Sequence, residues 1–162
     1  MAYNGGDHTS NRKHLMKYFN LYRISSYLLI LGALGHTFGG MLATVMHGRS
    51  SGPEADEVFS KMKSVHFIWQ GAHCTWYDFW LGNGLSVSAL LILGIVVLWV
   101  LGGLPPNQLK PVLPIAWAAS ISFALLCVLG FVYFAIGVGV MFGLIALLTG
   151  IATIKARIST GC

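Results

Sequence analysis

The sequence predicts an all-α polytopic membrane protein: an antiparallel bundle of four transmembrane helices with an amphipathic helix across its outer face. Three observations carry that expectation. Of the 162 residues, 56% are hydrophobic and 9% charged, against about 25% charged in a soluble globular domain. The mean hydropathy of +0.71 makes lipid the solvent. Finally, residues 22–46, 77–101, 112–133 and 135–154 form four apolar stretches, each reaching the roughly 20 helical residues that cross a hydrocarbon core of about 30 Å. A soluble enzyme, a nucleic-acid reader and a disordered tail are all excluded. Nucleic acid is no expected partner, because the basic residues bunch beside apolar stretches and form no stripe on a folded face.

The chain is read as one membrane domain. Residues 1–21 form a polar, basic leader with Asn11, Arg12, Lys13 and Lys17, and Arg23 follows just inside the first apolar stretch. That stretch has no A-x-A cleavage site and exceeds a signal-peptide core in length, so it is expected to stay as an anchor. Counting Lys and Arg sets the orientation. The leader, the loop 102–111 and the tail 155–162 hold Arg12, Lys13, Lys17, Arg23, Lys110, Lys155 and Arg157, whereas the other side holds Arg49, Lys61 and Lys63, offset by Glu54, Asp56 and Glu57. Both termini are therefore expected in the cytoplasm, with the chain in the inner (cytoplasmic) membrane. No charge separates the third and fourth stretches, which predicts a tight hairpin with Tyr133 and Phe134 at the far interface.

Residues 47–76 make the one long excursion outside the membrane. Ser51 and Glu54 read as a capping box with Pro53 in the first turn, and Val58, Met62, Val65 and Trp69 then recur at helical spacing. An amphipathic helix on the membrane surface is the expectation. Small residues mark the faces where helices approach: Gly32, His36, Gly40 and Thr44 fall on one stripe of the first helix, with Gly35, Gly39 and Ala43 beside it. Gly82, Ser86 and Ala89 share a face in the second, where Gly84 with Ser88 makes another small pair, and Gly139 and Gly143 repeat the spacing in the fourth.

His36 is the most informative residue. It lies 13 residues beyond Arg23, hence about 20 Å along the helix and near mid-bilayer. An ionisable group there faces inward and marks a functional site by default; the plain alternative is a neutral imidazole bonded to a neighbouring helix. Asp78 opens the second span, where an acid complements the helix dipole and caps free amides, or else partners His66 or His36. Asn83 would extend a polar path inward. Trp69, Trp76 and Tyr77, with Phe67, Phe79 and Trp80, read either as an interfacial belt or as the wall of a ligand pocket.

Metal and redox chemistry find little footing. His47, His73 and Cys74 are weak metal candidates, because no pair has the spacing of a zinc motif. Residues 77–154 contain no histidine, so a bis-imidazole haem would need a ligand from outside the membrane core. Cys74, Cys127 and Cys162 are odd in number and far apart, which gives neither a disulfide framework nor a thiol-redox motif. No sequence feature names a cofactor.

Gly32-Ala-Leu-Gly-His36-Thr-Phe-Gly, then Val65-His66-Phe67, then Gly71, Thr75 and Asp78-Phe79-Trp80-Leu-Gly-Asn-Gly-Leu85, resemble a bacterial family of small, uncharacterised four-helix membrane proteins. The resemblance covers the first two helices and their loop and brings no activity with it. It implies that His36, His66 and Asp78 stand on polar positions of the family pattern. Cys74 stands where that pattern has arginine, Tyr77 where it has tryptophan and Asn83 where it has phenylalanine, and His73 is not part of it. Loss of the arginine removes an ion-pair partner for Asp78.

The leading functional expectation is an intramembrane site, open to the outer side, for a small amphiphilic or quinone-like ligand, with His36, His66, Asp78, Asn83, Trp69, Trp76 and Tyr77 as its residues. The alternative is a non-catalytic or accessory subunit of a larger membrane complex, or a homo-oligomer. A haem- or metal-binding redox protein comes last. The bilayer itself is the expected partner in every case.

Overall fold

A computed structural model describes residues 7–47 and 52–159. Helix α1 spans Asp7–Leu34 and runs into a π-helical segment, Gly35–Leu42, and a short α2, Ala43–His47. After α3 (Pro53–Ser64) come two short strands, β1 (His66–Trp69) and β2 (Ala72–Thr75). Helix α4 (Trp76–Leu101), the short α5 (Pro106–Leu109), a 3-10 turn at Lys110–Val112, α6 (Leu113–Tyr133) and α7 (Ile136–Ser159) complete the chain. Four segments are long and apolar enough to cross a membrane: Leu21–Met46, Trp76–Leu101, Lys110–Tyr133 and Ile136–Ser159. They fit a multi-pass membrane protein.

The chain divides into two compact units, Leu31–Ile92 and the remainder, Met1–Ile30 with Leu93–Cys162. In the second of these, α6 and α7 fold back on one another across Phe134 and Ala135. The buried positions of α6, Leu113, Ala116, Ser120, Phe123 and Gly130, alternate in threes and fours, the repeat that keeps one seam against a partner helix. Gly130 lies so close to Gly139 that a Cβ built on it would stand 2.7 Å from the Gly139 nitrogen. Backbones touch there, and van der Waals contact supplies the association that lipid gives no hydrophobic reason for. Phe123 stacks on Phe142 with ring centroids 6.3 Å apart.

Within this unit, the Tyr22–Ser26 stretch of α1 is held by polar bonds. Tyr22 Oη lies 2.8 Å from Thr153 Oγ1, and Ser26 Oγ donates to the Ile95 carbonyl at 3.1 Å. Arg23 sits at the end of α4: its Nε donates to the Gly102 carbonyl at 3.4 Å, and its guanidinium lies 4.6 Å from the centre of the Trp99 ring. A cation there meets the negative end of the helix dipole.

In the Leu31–Ile92 unit, α3 begins on Pro53 with Gly52 as a cap that makes no side-chain bond. Ser51, the other half of the capping box expected from the sequence, lies outside the described residues. The expected stripe through Val58, Met62, Val65 and Trp69 does not form. Val65 is extended, with φ −85° and ψ 110°, and the β-favouring run His66-Phe-Ile-Trp69 pairs as a strand. Trp69 therefore belongs to β1, and Val58 and Val65 are exposed. No residue of α3 is fully buried; it meets α4 through Phe59, whose ring lies 5.4 Å from Trp80 and 6.5 Å from Tyr77, and through Lys63 over the Tyr77 ring.

The sequence reading of residues 66–78 as an aromatic loop also needs revision. β1 and β2 pair antiparallel, with His66 opposite Thr75, Phe67 opposite Cys74, Ile68 opposite His73 and Trp69 opposite Ala72. The two turn residues both adopt positive φ, 50° at Gln70 and 87° at Gly71. That is the type I′ geometry whose twist matches a two-residue hairpin. Gly71 adopts it without a Cβ clash; Gln70 does so against its preference.

Candidate functional site

Helix α1 does not carry His36 in regular α geometry. The amide of Ala43 reaches back to the carbonyl of Phe38 as well as to Gly40, so the segment is wound wider than an α-helix, in the i→i+5 pattern of a π-helix. This shifts the phase of everything beyond it. The sequence stripe Gly32, His36, Gly40 and Thr44 assumes α spacing; the wider turn instead sets Met41, five residues on, beneath His36. Both side chains meet Gly84 of α4. Nε2 of His36 lies 3.0 Å from the Gly84 carbonyl, and the Met41 thioether and methyl lie against the Gly84 Cα. Met41 is buried, while Gly39 and Gly40 are exposed.

A second bond lies one residue along. Thr37 Oγ1 donates to Ser88 Oγ at 2.9 Å, and Ser88 Oγ donates to the Gly84 carbonyl at 3.3 Å. The Gly84 oxygen, already an acceptor in the α4 ladder, thus also accepts from His36 and from the Ser88 hydroxyl. Because a carbonyl can only accept, Nε2 of His36 carries the proton in this bond. In a neutral ring the free lone pair is then on Nδ1. The imidazole is half-buried and turned toward protein groups. On its own helix, a Cβ built on Gly35 or Gly39 would meet nothing within 4 Å.

His66 and Asp78 come together elsewhere, at the open end of the hairpin. His66 stands across from Thr75, and its Nδ1 donates to the Ser64 carbonyl at 2.9 Å. Thr75 and Asp78 bind each other reciprocally. The Asp78 carboxylate accepts from the Thr75 amide at 2.9 Å and from its hydroxyl at 2.7 Å, while the Asp78 amide donates to Thr75 Oγ1 at 3.1 Å. This is a capping box on the first turn of α4. Asp78 and Gly84 are six residues apart on one helix, so the His36 bond lies about 9 Å further along it.

The other expected residues scatter around these two places. Asn83 is exposed. Trp76 and Trp69 are exposed and belong to a ring cluster with Phe67 and Phe79; Phe67 and Trp76 are 4.7 Å apart. Tyr77 stacks at 5.7 Å on Trp80, with the Lys63 ammonium 4.8 Å from its ring centre. His73 and Cys74 are consecutive in β2 and so point to opposite faces of the hairpin, which keeps them from sharing a ligand. Cys74 is a free thiol. The His47 side chain lies outside the described residues. Among the described residues, no group of three His, Cys, Asp or Glu could hold a metal ion.

Several residues that make the site carry little sequence signal. Thr75 could have been found, since Thr-x-x-Asp before an apolar run is a capping-box pattern. Gly84 and Ser88 stand out as a small-residue pair four apart on α4, whereas Thr37 and Met41 could not be found, because their roles follow from the π-helical phase. Comparisons with protein-family models, with curated proteins and with solved structures gave no match.

Proposed function

We propose that this chain is an inner-membrane, antiparallel four-helix bundle with both termini in the cytoplasm, and that the His36 region binds a small amphiphile within the bilayer. Kinship with the small four-helix bacterial proteins that the His36, His66 and Asp78 blocks resemble is part of the proposal. The observation that carries the ligand reading is the bond of the His36 ring: Nε2 is committed to the Gly84 carbonyl at 3.0 Å, and a Cβ added to Gly35 or Gly39 on the same helix would meet nothing within 4 Å. A neutral ring held in this way offers an acceptor at Nδ1. The matching ligand has an apolar body and one hydroxyl donor, as in a quinol or a lipid alcohol. A quinone carbonyl, an acceptor only, would require the imidazolium. The π-helical turn supports the same reading, since such turns recur at functional sites.

His66, Asp78 and Asn83 take no direct part in this version. The Asp78 carboxylate is bonded to Thr75, and His66 to the Ser64 carbonyl. The test is native mass spectrometry of protein extracted from its own membrane, with the wild type beside His36→Ala and Ser88→Ala. Each variant loses a polar bond, and only His36→Ala should lose a co-purifying amphiphile. An identical bound species in both variants, or none in the wild type, would sink the reading.

One observation favours the accessory-subunit alternative. The Gly35 and Gly39 edge has no protein contact for an added Cβ, and small residues four apart let helices of another subunit approach closely. A stoichiometric protein partner retained in mild detergent, and lost on Gly39→Leu, would support it.

A further inference from the structure

The β-hairpin alternates, and its two faces differ in chemistry. Phe67, Trp69, Ala72 and Cys74 point one way; His66, Ile68, His73 and Thr75 point the other. The first face has no polar side chain beyond a thiol, and the second carries two imidazoles and a hydroxyl. The apolar face is also where the hairpin joins α4. Phe67 lies 4.7 Å from Trp76 and 6.5 Å from Phe79, and Trp69 lies 6.5 Å from Phe79. Trp76 and Phe79 are themselves the first turn of an apolar span, and both are exposed.

We infer that the hairpin is a membrane-seated element, with its Phe67/Trp69/Ala72/Cys74 face lying in the headgroup and glycerol region of the bilayer and its His66/His73 face in water. The occupant of the apolar face is phospholipid, because that face continues without a break into the surface where α4 enters the membrane. Trp and Phe clustered at such a level are the side chains that favour it. The interface is wet enough to satisfy the unpaired outer edges of both strands, which the hydrocarbon core is not. The inference rests on α4 being a span, and the experiment separates failure of the two.

Protein burial alone cannot mimic the expected result. Ile68 and Trp69 are 66% and 58% exposed in the chain, so without lipid a thiol at either position should react alike. Single-cysteine proteins are made by replacing Cys74, Cys127 and Cys162 with Ser and introducing Ile68→Cys, His73→Cys, Trp69→Cys or Ala72→Cys. Each is reconstituted into vesicles of phosphatidylcholine with phosphatidylglycerol and treated with a sulfonated, membrane-impermeant maleimide on both sides. Ile68→Cys and His73→Cys should label at least about tenfold faster than Trp69→Cys and Ala72→Cys, since one unit of thiol pKa in a drier setting costs a tenfold loss of thiolate. Ala72→Cys keeps the comparison usable if loss of the Trp69 ring disturbs the hairpin. Equal rates on the two faces, or the reverse order, overturn the inference. A protein retaining Cys127 alone is the control for the spans: Cys127 should stay unlabelled, and labelling there as fast as at His73→Cys would overturn the membrane reading itself.

Discussion

Gly130→Ala is the sharpest test of how α6 and α7 are held. A Cβ on residue 130 would stand 2.7 Å from the Gly139 nitrogen and 2.8 Å from its Cα. Both are main-chain atoms and cannot rotate aside. Non-bonded carbons rest about 3.5–4.0 Å apart, so the helices must part by about 1 Å, and such a gap forfeits a quarter to a half of the dispersion at each facing atom pair. Overpacking costs about 1–3 kcal/mol, and against main-chain atoms that cannot give way the upper part, about 2–3 kcal/mol, applies; alanine returns about 1 kcal/mol of helix propensity. The net expectation is a loss of about 1–2 kcal/mol. Gly150→Ala is the matched control, because nothing lies within 4 Å of its Cβ; it should be neutral or gain up to about 1 kcal/mol. Unfolding by SDS from dodecylmaltoside micelles measures both. Cys127 adds a local reporter, since its Sγ lies 3.1 Å from a Cβ built on Gly143 and it should label faster in Gly130→Ala. If Gly130→Ala unfolds with the wild type, or Gly150→Ala is equally damaged, the close α6–α7 crossing is wrong.

Three further outcomes follow from single contacts. A double-mutant cycle on Thr37→Val and Ser88→Ala should give a coupling of about 0.6 kcal/mol and at most about 1.7, the range of polar bonds between membrane helices; zero coupling in SDS unfolding would dismiss the 2.9 Å hydroxyl pair. Arg23→Met and Trp99→Leu should couple by about 0.5–1 kcal/mol through their cation–π contact, read by the same assay, with additive losses counting against it. At the hairpin turn, Gln70→Asn should slow amide exchange across β1 and β2, because asparagine accepts positive φ more readily, whereas Gly71→Ala should speed it; exchange that ignores both changes would exclude the type I′ turn.

The parts of the fold that were legible in the sequence are those set by composition along the chain. Twenty apolar residues in a row have one stable form in lipid, a helix whose own backbone satisfies every amide, so the spans could be located from hydropathy alone. The short excursion was less legible because local signals compete there. Val65, Phe67 and Trp69 fit both a helical stripe and a strand, and the β preference of His66-Phe-Ile-Trp69 prevails once Gln70-Gly71 turns the chain. A capping box forms on Thr75 and Asp78 at the start of α4, whereas the Ser51 of the pattern expected at α3 lies outside the described residues.

The candidate site shows how a correct position can come with incorrect neighbours. Burial cost alone fixes that an imidazole deep in a span turns toward protein, and His36 does so, with its Nε2 on the Gly84 carbonyl. Which residue shares its face depends on the hydrogen-bond ladder of its own helix. Under α spacing Gly40 would lie beneath the ring and leave a gap against α4. In the wider π-helical turn, Met41 takes that place and fills it. The wider turn therefore has a local compensation: it exchanges a bare glycine for a thioether against Gly84 and leaves Gly35 and Gly39 on an open edge. Room for a ligand or for another subunit lies along that edge and not between His36 and α4, where Gly84, Met41, Thr37 and Ser88 already close the contact.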